Sequence, residues 1–311
     1  MPPPGLDADA AALMRSLLFV PADSGRKLDK ALACGADAVI VDLEDSIAPD
    51  RKAQARASAA AFVKQATRAT PRTRIVVRVN GLGTGLTDAD LDAIVPASPD
   101  AIMLPKAEGG AALVHADAKL TAREAIHGLA DGHVKIVAMA IETAAALFLA
   151  GTFRNASPRL LGLSWGPEDL AAELGAETNR TAEGSLTQPY ALARALCLMA
   201  AAAAQVQAIE TIYPDYHNDA GLRRDSEEAR RDGFTGRLAI HPAQVPIINE
   251  VFTPSAAALG RAQAIIAAFA ANPNAGVIGI DGVMYDRPHL ARARELVSRA
   301  KAADPQKKAA D

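Results

Sequence analysis

Charged side chains stand just behind a series of short aliphatic runs, and their types suit chemistry on an oxyanion beside a divalent cation. Asp42, Glu44 and Asp45 close the run AVIVDL, Arg78 and Asn80 close IVVRV, and Lys106 follows AIML. Glu142 follows KIVAMAI, and Glu168 and Asp169 follow LLGLS through Trp165-Gly166-Pro167. Tyr213 and Asp215 come after AIETI, and His241 after RLAI. Carboxylates gathered in one place repel each other unless a cation sits among them. Glu142 and Asp169 end successive runs and suit two oxygen ligands to one Mg²⁺, with the remaining positions left to water and substrate oxygens. A single strand-end acid is equally well explained as a helix cap or an ion-pair partner. No H-E-x-x-H or other histidine cluster points to zinc.

Arg78 lies in an otherwise apolar run, so its charge must be directed at something. It either forms a buried ion pair with Asp42, Glu44 or Asp45, or clamps a substrate carboxylate or carbonyl oxygen. Glu44 and Asp45 join it as candidate catalytic residues. Lys106 reads as a cation balancing these acids, with a Schiff-base lysine as the alternative. Gly81-Leu82-Gly83-Thr84-Gly85 has the spacing G-x-G-x-G, which fits a flexible loop rather than a dinucleotide fingerprint. Glu168 and Glu173 read as surface acids, and His241 as either site-lining or structural.

The elements that must position these groups are legible as alternation. The aliphatic runs are Ser16–Val20, Ala38–Leu43, Ile75–Val79, Ala101–Leu104, Lys135–Ile141, Leu160–Ser164, Ala208–Ile212 and Arg237–Ile240. Their near-continuous hydrophobicity suits parallel strands covered on both faces. Helix formers fill the intervals, as in 50–66 and 107–129, and Gly35, Gly151 and Gly233 stand where helix C-caps are expected. Eight such alternations predict an α/β fold, a TIM (β/α)₈ barrel, with a doubly wound sheet as its rival. The expected organisation is a tail over 1–14, a barrel over 15–250, a helical C-terminal extension over 251–303 and a tail over 304–311. In the extension, a helix over 255–271, a glycine-punctuated segment over 276–285 and a helix from Pro288 to about Ala302 are expected. Both tails read as disordered.

Composition narrows the class further. Half of the 311 residues are hydrophobic, enough for a large core, and the net charge of −3 carries no electrostatic footprint for nucleic acid or an anionic membrane. No apolar run reaches the ~18 residues of a membrane span. The leading segment lacks the basic n-region of a signal peptide. Cys34 and Cys197 are far apart and form no C-x-x-C pair. The expectation is a cytoplasmic protein in a reducing compartment.

The motifs also carry a resemblance. Arg15-Ser-Leu-Leu-Phe-Val-Pro, Gly35-Ala-Asp-Ala-Val-Ile-Val-Asp-Leu-Glu-Asp-Ser, Val77-Arg-Val-Asn, Leu104-Pro-Lys, Ile141-Glu-Thr, Gly166-Pro-Glu-Asp-Leu, Ile240-His-Pro-Ala-Gln and Asp281-Gly-Val-Met-Tyr-Asp-Arg-Pro occur in order. Together they resemble the citrate lyase β-like family, a group within the HpcH/HpaI aldolases that includes malyl-CoA and citramalyl-CoA lyases and related thioesterases. The resemblance implies a TIM barrel and Mg²⁺ held by Glu142 and Asp169, with Arg78 helping to bind a small 2-keto acid. It implies a homotrimer or hexamer in which Asp286, on the C-terminal extension, serves a neighbouring subunit's site as an acid/base group. A helix cap ahead of Pro288 is the simpler role for Asp286.

Lys27 and Lys30 look like residues that meet CoA phosphates in relatives, or else line a solvated helix face. Ser24, Gly25 and Pro167 depart from the family pattern, and 213–218 (YPDYHN) is an aromatic, polar stretch that could tune the substrate pocket. The expected activity is Mg²⁺-dependent carbon–carbon bond cleavage or formation on a CoA-thioester substrate through an enolate. Its alternatives are a citryl-carrier-protein lyase subunit of a citrate lyase complex, a malyl-CoA thioesterase, a CoA-independent metal aldolase, and a Schiff-base aldolase acting through Lys106.

Overall fold

The computed structural model describes residues 14–66 and 73–302. These divide into two compact units, 14–249 and 250–302. The expected tails fall outside the described residues, except for Met14. Met14 is 2% exposed and packs with the core of the first unit.

The first unit is a closed barrel of eight parallel strands in sequential order. They are β1 (Ser16–Pro21), β2 (Ala38–Asp42), β3 (Arg74–Arg78), β4 (Ala101–Leu104), β5 (Lys135–Ile141), β6 (Leu160–Trp165), β7 (Gln207–Glu210) and β8 (Gly236–Ala239). Closure is made by β8 against β1, with Leu17 opposite Leu238. Every residue of β2 and β4 is buried, which explains the uninterrupted apolar runs: one face packs inside the barrel and the other beneath helices.

The interior face can be read from its period of two. Ala38 and Ile40, Ala101 and Met103, and Val137 and Met139 join Leu17, Val76, Ile209 and Leu238 in one cluster. Continued toward the strand ends, the same period places Asp42 and Arg78 on the inner face at the C-terminal rim. At the opposite end, Arg159 is buried just before β6 and pairs with Glu124 and Asp131 at 2.7 Å each.

The helices of this unit are α1 (Gly25–Leu32), α2 (Lys52–Ala66), α3 (Thr87–Ile94), α4 (Gly109–Ile126), α5 (Ala144–Leu149), α6 (Pro167–Leu174), α7 (Gln188–Ala204), α8 (Asp219–Asp232) and α9 (Gln244–Phe252), within which, after Asn249, the two units divide. On α2, the buried stripe Ala55, Ala59, Phe62, Val63 and Ala66 recurs every three or four residues. Burying Phe62 alone contributes about 1.5–3 kcal/mol. Gly233 closes α8 at φ 125°, as its position predicts. Gly151 does not cap a helix: it lies inside a 3₁₀ turn, Ala150–Phe153, that prolongs α5.

The second unit contains α10 (Ala256–Ala271), the antiparallel hairpin β9 (Val277–Ile280) and β10 (Val283–Asp286), and α11 (Arg287–Ala302). Ala262, Ile265 and Phe269 of α10 pack with Leu290 and Ala293 of α11. The hairpin turn is Asp281-Gly282, with φ of 49° and 77°. Positive φ at both central residues is the two-residue turn whose twist matches the strands it joins. Among the described residues, no helix is long and apolar enough to cross a membrane.

Candidate active site

Arg78, the last residue of β3, is enclosed by acids from β2 and the loop behind it. Its Nε and Nη2 donate to Oδ1 and Oδ2 of Asp42, both at 2.7 Å, in a two-point pair. Nη1 lies 2.9 Å from Oε2 of Glu44 and 3.8 Å from Oδ2 of Asp45. The guanidinium also sits over the Phe19 ring, 4.8 Å from its centroid. Burial alone would lower the Arg78 pKa, but the three acids hold it above the ordinary arginine value. Burial likewise works against the Asp42 charge, and Arg78 outweighs it, keeping the carboxyl below the usual carboxylate range. Asp42 also accepts from the backbone N–H groups of Glu44 and Ser46, so it shapes the loop that presents Glu44. Glu44 is buried, whereas the Asp45 side chain is 59% exposed.

Lys106 joins this cluster to the two predicted metal ligands. Its ammonium is 2.9 Å from Oε1 of Glu44 and 3.1 Å from Oδ1 of Asp169. Partial burial works against that charge, and the two carboxylates more than restore it, raising the lysine pKa. A lysine held fully protonated suits charge balance rather than attack on a carbonyl. The Lys106 backbone N–H donates to Oε2 of Glu142 at 2.6 Å. Glu142 is 2% exposed, and burial pushes its carboxyl up to about 8, with the negative charges of Asp169 and Glu44 adding to the effect. Gly166 leaves the space this carboxyl occupies: a Cβ there would lie 2.8 Å from Cγ and 2.9 Å from Oε1 of Glu142.

The donor set fits a hard divalent cation. A carboxyl raised by burial and, further, by neighbouring acids gains most from added positive charge, and two carboxylates with water are a common Mg²⁺ environment. Among the described residues, no group of three or more His, Cys, Asp or Glu side chains is arranged to hold a metal. Substrate and water oxygens would therefore have to complete the shell.

The closed eight-stranded barrel and its sequence have parallels among known proteins. The family profile described as HpcH/HpaI aldolase/citrate lyase matches residues 15–242. The chain belongs to that family. It is 37% identical over 297 residues to a (3S)-malyl-CoA thioesterase of Cereibacter sphaeroides, covering 95% of this chain and 97% of that protein. It is 32% identical over 294 residues to citrate lyase subunit beta of Leuconostoc mesenteroides subsp. cremoris, covering 93% and 94%. The structure of protein CitE from Mycobacterium tuberculosis in complex with magnesium, acetoacetate and coenzyme A superimposes with a TM-score of 0.75 at 31% identity, over 94% of this chain and 99% of that one.

In this member of the HpcH/HpaI aldolase/citrate lyase family, Arg78, Glu44, Asp45, Glu142 and Asp169 form one cluster through Lys106. Lys27 and Lys30 lie elsewhere, on the exposed face of α1. Asp286 ends β10, in the second unit, where it accepts from the His289 backbone N–H at 3.3 Å and contacts the His289 ring at Nδ1. That hydrogen bonding to His289 holds its carboxyl below the usual range. The Asp286 side chain therefore caps α11. His241 stacks on Tyr216 with ring centroids 4.9 Å apart.

Glu168 is exposed and accepts from Asn179, and Glu173 from the Ala144 N–H. Asp42, one of the three ion-pair partners expected for Arg78, is its two-point partner. One participant is absent from the sequence-based expectations. Lys52 binds the Glu44 loop; the signal was a lysine in a first helical turn, where acids are favoured.

Proposed function

We propose that this chain is a Mg²⁺-dependent lyase that makes or breaks the C–C bond of a 3-hydroxyacyl-CoA thioester of the malyl-CoA or citramalyl-CoA type. The observation that carries this reading is the buried Glu142 carboxyl, raised to about 8 beside Asp169 and linked through Lys106 to the Glu44–Arg78 pair. Support for the substrate class comes from the magnesium, acetoacetate and coenzyme A in the CitE complex and from the malyl-CoA relative.

Glu142 and Asp169 would hold Mg²⁺, which when bound supplies Lewis-acid charge to the oxygens of the 2-keto acid portion. Arg78 spends Nε and one Nη2 hydrogen on Asp42 and faces Glu44 through Nη1, and its remaining N–H groups serve the substrate carboxylate or developing oxyanion. Lys106 and Arg78 keep Glu44 and Asp45 compatible with an anionic substrate. In cleavage, a carboxylate base takes the hydroxyl proton and the C–C bond breaks. The bond's electron pair becomes an acyl-CoA enolate, and a 2-keto acid is released. Asp286, supplied by a neighbouring subunit of a homotrimer or hexamer, protonates that enolate or abstracts the proton in condensation. Lys27 and Lys30 meet the CoA phosphates. The unpaired cysteines, Cys34 and Cys197, suit a cytoplasmic setting.

The test is a condensation assay with acetyl-CoA or propionyl-CoA and glyoxylate, pyruvate or oxaloacetate, with products read by mass spectrometry with and without EDTA. A new acyl-CoA adduct that disappears with EDTA is the expected result. No adduct with any pair from folded, metal-loaded protein would overturn the lyase reading. A second reading, hydrolysis of malyl-CoA at the same site, is favoured by the thioesterase relative. Release of free CoA and malate from malyl-CoA, without glyoxylate, identifies it.

A further inference from the structure

Lys52 opens α2, and its ammonium donates to three oxygens: Leu43 O at 2.6 Å, Glu44 O at 2.7 Å and Asn80 Oδ1 at 2.8 Å. One nitrogen thus spans the loops behind β2 and β3. The β3 side of this bridge is itself fixed. The Asn80 backbone N–H and Nδ2 both donate to Asp90 Oδ2, at 2.7 and 2.6 Å, and Arg56 Nε holds Asp90 Oδ1 at 2.7 Å. Thr87, the first residue of α3, shares its Oγ1 hydrogen between the Asn80 and Gly81 carbonyls, at 3.0 and 2.9 Å. The β2 side carries Glu44, which faces both Arg78 and Lys106 at 2.9 Å.

A cation in the first turn of a helix opposes the helix dipole, and α2 itself has no acid there, Asp50 lying ahead of it in the 3₁₀ turn Pro49–Arg51. Helix stability therefore does not account for this lysine; its three oxygen partners do. All three hydrogens of the ammonium are used, which sets the nitrogen at a single point between the loops.

We propose that Lys52 is a positioning residue of the active site: it anchors the backbone of Leu43 and Glu44 to the rigid Asn80–Asp90–Arg56 chain, and thereby sets the Glu44 carboxylate between Arg78 and Lys106. This inference rests on the function proposed above for that site. It separates Lys52 from the metal ligands, because none of its bonds reaches Glu142 or Asp169.

The experiment compares Lys52→Met, Glu44→Gln and the double variant with the full-length wild type. Lys52→Met is expected to lower kcat about 10–100-fold, the scale on which displaced catalytic groups lose rate, while the Mg²⁺ Kd from titration calorimetry changes less than about twofold. Because Lys52 acts through Glu44, adding Lys52→Met to Glu44→Gln is expected to cost less than about twofold more. An unchanged kcat in Lys52→Met, or independent and multiplying effects in the double variant, would overturn the proposal. If Lys52→Met does not fold, Lys52→Arg carries the same comparison, since a planar guanidinium cannot place one nitrogen among three oxygens. If the wild type turns over no substrate pair, the proposed function fails by itself, and amide hydrogen exchange over 43–47 decides the role of Lys52. Faster exchange confined to that segment and 80–86 supports it, and unchanged exchange overturns it.

Discussion

Lys106 donates its backbone N–H to Glu142 at 2.6 Å from a left-handed conformation, φ 49°. The same residue places its ammonium against Asp169 and Glu44. A lysine rarely adopts this backbone region, because its Cβ crowds the following carbonyl at a cost of roughly 1–2 kcal/mol. The strain is sustained where backbone and side chain must turn toward different acids of one site.

That strain can be measured with two substitutions that remove the same ammonium. Lys106→Gly relieves the left-handed backbone but carries an unfolded-state entropy cost of about 0.4–1 kcal/mol relative to Lys106→Ala. The difference leaves Lys106→Gly more stable than Lys106→Ala by about 0.5–1 kcal/mol in urea unfolding. Both variants are expected to lose activity. An alanine variant more stable than the glycine variant by about 0.4–1 kcal/mol would show that the φ carries no cost.

Glu142→Gln keeps an acceptor for the Lys106 N–H and removes the charge that a cation needs. Its Mg²⁺ affinity is expected to fall by more than about tenfold, and Asp169→Asn by a similar factor. Saturating Mg²⁺ should raise the melting temperature of the wild type and leave that of Glu142→Gln nearly unchanged. Loss of activity with intact Mg²⁺ binding in either variant would remove that residue from the ligand set.

Mixed oligomers test where Asp286 acts. Asp286→Asn and Glu142→Gln are each expected to be inactive alone. If Asp286 serves a neighbour, co-expressed or re-assembled mixtures contain sites with both native residues and regain a measurable share of wild-type activity. Mixed assemblies, verified by mass spectrometry, that stay inactive would place Asp286 outside a neighbour's site.

Acid stability should depend on Asp225, in the pairs Arg237–Asp225 and Arg180–Asp225. Burial alone would raise the Asp225 pKa, but Arg237 and Arg180 bring it below the ordinary aspartate value. A folded-state pKa below the unfolded one contributes stability that is present above the unfolded pKa of ~3.9 and is lost as pH falls through the folded pKa. Asp225→Asn should therefore flatten the decline of unfolding free energy below about pH 4. At pH 7 it should cost about 3 kcal/mol, because Arg237 is wholly buried and loses its counter-charge. An acid limb identical to that of the wild type would exclude this pair as its source.

Much of this molecule is local and so legible in the chain itself. Strands covered on both faces need unbroken apolar runs, and KIVAMAI and AIML were recognisable for that reason. The chemistry-bearing residues stood at strand ends because a barrel gathers those ends at one rim, so Arg78, Glu44, Glu142 and Asp169 could be named from alternation and motif alone. The hairpin of the second unit was also written locally, in Asp281-Gly282, a turn pair that reading the stretch as merely glycine-punctuated overlooks. What the chain could not disclose is which group faces which. Whether Arg78 met Asp42, Glu44 or Asp45 depended on strand register and on the inner-face period, and all three proved to be its neighbours. The bridge by Lys106 between Glu44 and Asp169 and the bridge by Lys52 between two loops join residues far apart in sequence. Such pairings arise only when closure of the barrel brings the strand ends together, because a side chain's type determines what it can bind, whereas its partner is decided by position in space.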